Sequence, residues 1–125
     1  MNMLLWILAF VLAAVFAASG AAKLLTARDQ QIERTPYVGD FPHSVILGIG
    51  VLEILGAFGL ILPALTGVLP VLVALAAAGL AITMVFAALV HIRRGDGLAK
   101  ALPSIVLAIV SVFVAWSRFG PVPLS

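Results

Sequence analysis

Residues 44–65 read SVILGIGVLEILGAFGLILPAL, an apolar run with one ionisable side chain, Glu53. A helix rises ~1.5 Å per residue and a bilayer's hydrocarbon core is ~30 Å thick, so about 20 such residues cross it. The run is long enough, and it lacks the period-2 alternation of a barrel strand, so it reads as a transmembrane helix. Pro36, Gly39 and Pro42 lie ahead of it, where proline in a first helical turn costs no hydrogen bond. Pro63, Gly67 and Pro70 are expected to form a tight turn after it.

Three more segments qualify on the same grounds. They cover about residues 3–25, 68–90 and 98–117, with Lys23 near the end of the first and Lys100 at the start of the last. Gly95-Asp96-Gly97 separates the last two, and residues 26–43 form the only sizeable polar connection. The expected fold is therefore all-α: four transmembrane helices in a compact up-down bundle, one domain over residues 1–125. Composition agrees. Of the 125 residues 64% are hydrophobic even with glycine left out, and 10% are charged, against roughly 45–50% with glycine counted, and 25%, in soluble domains. A chain of this length cannot bury so much apolar surface in its own core. Soluble globular, disordered and nucleic-acid-binding classes are excluded, since the last two need polar or basic residues in quantity. The absence of cysteine excludes disulfides, thiol redox chemistry, Fe–S clusters and cysteine zinc sites. The first segment offers small residues at 17–21, as a signal peptide would, but no Lys or Arg precedes its apolar run, so it is expected to remain as a span.

Lys and Arg counts set an expected orientation. Arg28, Arg34, Arg93, Arg94 and Lys100, with Lys23 nearby, fall on one side, and only Arg118 on the other. The loops 26–43 and 91–100 are then cytoplasmic in an inner or plasma membrane, with Met1 and Ser125 outside. Trp6 and Trp116 fall at the same outer interface, where amphipathic rings belong. Residues 28–34 are expected to form a short interfacial helix or a solvated loop with paired charges.

An ionisable group inside a span costs about 2.5–3.5 kcal/mol on insertion scales and is a functional candidate for that reason. Glu53 lies near mid-membrane, and Gly50, Gly56 and Ala57 at helical spacing from it let another helix approach its carboxyl. An unpaired buried carboxylate is too costly, so Glu53 is expected to be protonated or paired. Lys23 has a plain structural reading, snorkelling to the interface. Side chains tilt toward a helix's N-terminus, however, which leans Lys23 back into the bilayer over Ser19 and Gly20, and leans Glu53 toward it. His91 ends the third span and tilts the same way. Lys23, Glu53, His91 and Ser19 thus form a candidate intramembrane polar site. The alternative is a Lys–Glu pair that only fixes packing, with His91 at the interface. Gly20, Gly50 and Gly56, with Gly48 and Gly59, are assigned to helix packing. His43 and His91 could ligate haem or a metal, but no further ligand pattern supports this, so no metal is expected. Val15-Phe16-Ala17-Ala18 recurs as Val85-Phe86-Ala87-Ala88, a hint of a duplicated hairpin.

These pieces together resemble the DoxX-like membrane proteins. They are Ser19-Gly20 with Lys23-Leu24, Gly50 through Gly56 leading to Gly59-Leu60 and Pro63, and His91 with Arg93-Arg94-Gly95. The resemblance implies a four-helix membrane bundle. It is similar to proteins named for a thiosulfate:quinone oxidoreductase subunit, some linked to membrane redox complexes, and remote eukaryotic relatives are linked to receptor assembly. The similar methylamine-utilisation type often carries a cysteine pair, which this chain lacks, so thiol transfer is not expected. Three functions compete. The first is an accessory or anchor subunit of a quinone-linked redox complex, with quinone as the cofactor it admits. The second is a non-catalytic assembly factor packed against a membrane-protein partner or a second copy. The third is a small proton-coupled transporter using Glu53.

Overall fold

The computed structural model describes residues 1–121, so the side assigned above to Ser125 lies outside the described residues. Four long helices appear: α1 (Asn2–Leu25), α3 (His43–Thr66), α4 (Val71–Arg94) and α5 (Leu98–Phe119). A short α2 (Arg28–Arg34) and a 3-10 turn (Pro36–Asp40) link α1 to α3, and no strand occurs among the described residues. Each long helix is long and apolar enough to cross a membrane. The chain is a multi-pass membrane protein. Its outward surface carries Phe10, Leu55, Phe58, Ile82 and Ile109, all exposed, as a lipid-facing surface requires.

The helices run up and down in the order α1, α3, α4, α5, each packed on the next, while α5 and α1 touch only lightly. The dense core fills the half of the bundle at the termini, where Leu5, Leu12, Leu60, Val73, Ala77 and Val114 meet. At the outer end of that core Arg118, 7% exposed, donates to Asn2 Oδ1 at 2.7 Å. Arg118, the one basic residue expected on the side of the termini, is buried there. Trp6 and Trp116 lie in the same half, Trp6 stacked on Phe10 and Trp116 exposed.

Helix ends differ from the expectation at one proline. Pro63 lies inside α3, and the turn that follows spans Gly67 to Pro70. Proline removes one hydrogen bond, to the carbonyl of Gly59, and transmembrane helices tolerate that loss where neighbours pack around it. Gly67 and Gly95 end α3 and α4 in the left-handed conformation, φ 73° and 72°, which glycine adopts without a Cβ penalty. Gly48 departs from its packing assignment: it faces outward with open space beside it.

The polar connection forms the short helix over residues 28–34 that the sequence allows, with Asp29, Glu33 and Arg34 exposed and two residues turned inward. Gln31 is buried, and its Nε2 donates to the carbonyls of Lys23 at 2.8 Å and Thr26 at 2.7 Å. Those carbonyls belong to the C-terminal end of α1, where no intrahelical donor remains. Val38 is buried beside it. Replacing Gln31 with Ala is expected to destabilise the protein by about 1–3 kcal/mol, the cost of leaving buried carbonyls without donors. Denaturant titration in detergent, followed by circular dichroism, measures this; an unchanged midpoint means water supplies the missing donors.

Candidate functional site

The half of the bundle away from the termini is built around a close crossing. Gly20 of α1 and Gly50 of α3 meet so tightly that a Cβ on Gly20 would sit 2.6 Å from the Gly50 carbonyl oxygen. One turn further along each helix, this crossing brings Lys23 and Glu53 together. Lys23 Nζ stands 2.8 Å from Glu53 Oε1 and donates to Ser19 Oγ at 2.8 Å. Glu53 is 1% exposed. Its contact with Lys23 is a charge contact rather than an aligned hydrogen bond, and Oε2 has no hydrogen-bond partner among the described residues. Such a group is costly to leave unsatisfied, so it marks a place that can receive a donor.

His91 arrives from α4, and its geometry follows from the helix end. With Gly95 left-handed, the backbone N–H of Asp96 turns back to the carbonyl of His91 at 3.1 Å. That closure sets the Asp96 carboxylate against the His91 ring, Oδ2 to Nδ1 at 2.9 Å. Arg94 bridges Asp96 and Asp40, tying the 3-10 turn to the end of α4. The hydrogen bond from His91, reinforced by the Arg94 charge, holds the Asp96 carboxyl below the usual carboxylate range against the opposing effect of desolvation. Tyr37 from the 3-10 turn meets the His91 ring edge-on, centroids 5.2 Å apart, and Phe41 packs against Phe86 at 6.0 Å.

These groups line one cavity of about 170 Å³. Lys23, Ser19, Glu53 and His91 are all on its wall, together with Phe16, Met84, Tyr37, Phe41 and Ser104. The four candidate polar residues therefore share one space. His43 does not join them; it lies beside Arg28, whose guanidinium also donates to the Phe41 carbonyl at 2.9 Å. The two histidines thus form no common haem or metal site. Among the described residues no group of three His, Asp or Glu is placed to hold a metal ion.

The DoxX-like family matches residues 7–114 of the chain. The chain belongs to that family. No curated protein and no solved structure matches it. In this DoxX-like protein the matched span holds the whole cavity wall, whereas Asn2 and Arg118 at the opposite end fall outside it. Sequence reading does not foresee Tyr37, Phe41, Thr83 or Ser104 on the wall, nor Asp96 behind His91. A signal for Asp96 is present, because Gly95 directly after the end of α4 favours a left-handed turn that folds the next residue back. Nothing local marks Tyr37 or Phe41, which reach the cavity only because α2 and the 3-10 turn fold across it.

Proposed function

We propose that this DoxX-like protein is an accessory or anchor subunit of a quinone-linked membrane redox complex, and that its cavity holds the quinone ring. The observation that carries this reading is the cavity itself. Its volume, about 170 Å³, exceeds only slightly the ~150 Å³ apolar cavity that accepts benzene, so it suits one substituted six-membered ring. Aromatic and apolar groups offer contact to the ring faces, and Lys23, Ser19 and His91 offer hydrogen-bonding groups to ring oxygens. The light contact between α1 and α5 leaves a side on which a lipid-soluble tail can leave the bundle. The redox link itself comes from the family resemblance.

Native purification followed by mass spectrometry tests the reading. A bound quinone or hydroquinone and a co-purifying redox enzyme are expected, and Glu53→Gln protein, still folded, is expected to lose the hydroquinone. A preparation free of quinone, with Glu53-dependent proton flux in liposomes, would replace this reading with a proton-coupled carrier, for which the unpartnered Glu53 Oε2 is the supporting observation.

The positive-inside distribution further supports an orientation with α2 and the 95–97 turn in the cytoplasm. The chain has no native cysteine, which makes labelling simple. A cysteine at exposed Gln30 should be shielded from an impermeant thiol reagent in intact cells, and one at exposed Val68 should react. The reverse pattern overturns the orientation.

A further inference from the structure

The cavity wall holds a buried acceptor without a donor, and His91 on the same wall is set by its neighbour to offer a second acceptor. Glu53 Oε2 is buried and has no hydrogen-bond partner. Asp96 Oδ2 occupies His91 Nδ1 at 2.9 Å. A carboxylate only accepts, so in the neutral ring the proton sits on Nδ1 and Nε2 is left as a lone-pair acceptor. The lowered Asp96 carboxyl keeps that partner ionised. Resting on the quinone reading above, we propose that the cavity selects the hydroxyl-bearing hydroquinone over the carbonyl-bearing quinone, because Glu53 and the Asp96-oriented His91 both require a donor from the ligand.

The chemistry is a matter of matching. A hydroquinone hydroxyl donates, and satisfies either acceptor. A quinone carbonyl can only accept, so it satisfies neither acceptor, leaves Glu53 Oε2 buried and unpaired, and must draw on the donors of the wall, the Lys23 ammonium and the Ser19, Tyr37 and Ser104 hydroxyls. Selectivity of this kind, built on buried polar groups that a wrong ligand leaves unpaired, exceeds what apolar contacts achieve. Asp96 is here a positioning residue: it acts on the ligand only through the His91 tautomer. Protonating His91 turns Nε2 into a donor and removes the discrimination on that wall. The groups that face His91 and influence this step are Asp96 with Arg94 behind it, Tyr37 on the 3-10 turn, and Lys23 and Glu53 across the cavity; α5 contributes only Pro103, Ser104 and Leu107, none ionisable.

The test uses the full chain in nanodiscs, without oxygen, with tetramethylbenzoquinone and its hydroquinone as probes. The hydroquinone is expected to bind at least ~10-fold tighter than the quinone, one hydrogen bond's worth. The chain has two histidines, so a His43→Gln background leaves one imidazole for nitrogen NMR. Its spectrum should report the Nδ1–H tautomer, and Asp96→Asn should shift it to Nε2–H while lowering the binding ratio. Equal binding of both forms, or an Nε2–H tautomer in the His43→Gln protein, overturns the selectivity and leaves the quinone reading standing. Binding of neither form overturns the quinone reading, and the selectivity with it.

Discussion

Gly20→Ala is expected to be the most destabilising single-methyl substitution in the bundle, costing about 3 kcal/mol or more. Its new Cβ would stand 2.6 Å from the Gly50 carbonyl oxygen and 2.7 Å from Ile54 Cγ1. Ile54 can rotate away. The carbonyl cannot, because it belongs to the backbone of α3, so the two helices must part. Parting them also pulls Lys23 from Glu53, which flank the crossing and pack against the facing glycines. The cost is therefore overpacking plus the loss of the ion-pair contact. Gly50→Ala meets Lys23 Cβ at 3.0 Å and the Gly20 carbonyl at 3.1 Å, and should cost less. Gly48→Ala is the internal control: open space surrounds it on the same helix, and it should be neutral or stabilising by up to ~1 kcal/mol through reduced backbone entropy. Unfolding titrations of the three variants in one detergent measure the order. A Gly20→Ala protein as stable as Gly48→Ala would mean that α1 and α3 do not cross at these glycines.

The parts of the fold that were legible in the sequence are those governed by the bilayer. Absence of charge over about 20 residues specifies a span almost regardless of tertiary context, so the four long helices are readable to within a few residues. The meeting of Lys23 and Glu53 was readable for a related reason. Side-chain tilt is fixed by helix direction, and direction follows from counting spans. What sequence alone misread was set by packing. Pro63 signals a turn in a soluble chain, but α3 carries it internally because its neighbours surround it. Gly48 and Gly50 look alike in the sequence, and only helix rotation decides that Gly50 meets α1 while Gly48 faces outward. The cover over the cavity was the least readable part. Residues 28–34 read as a short interfacial helix or a solvated loop; the helix forms, but nothing in the sequence marks Gln31 as the amide that reaches the end of α1.

Removing the charge of Glu53 separates a structural ion pair from a working one. Glu53→Leu alone leaves the Lys23 ammonium in a site 16% exposed, with Ser19 as its remaining partner. Truncating one partner of a buried pair costs about 3–5 kcal/mol, much of it the penalty of the stranded charge. Lys23 is near the end of α1 and retains a long stem that can carry its ammonium outward, so the cost should fall at or below the lower end of that range. Adding Lys23→Met removes the stranded charge. The double variant Lys23→Met/Glu53→Leu is expected to regain most of the lost stability, since apolar residues of similar volume replace buried ion pairs at little cost. It should nevertheless bind no quinone or hydroquinone, because the cavity has lost both the ammonium donor and the carboxylate acceptor. Stability and ligand binding measured on the wild type, Glu53→Leu, Lys23→Met and the double variant complete a double-mutant cycle. Recovery of stability with loss of binding assigns the pair to the ligand. Recovery of both makes Lys23 and Glu53 a packing device and removes them from the site. Failure to recover stability would show that the pair, with Ser19, is required to hold α1 against α3 at the glycine crossing.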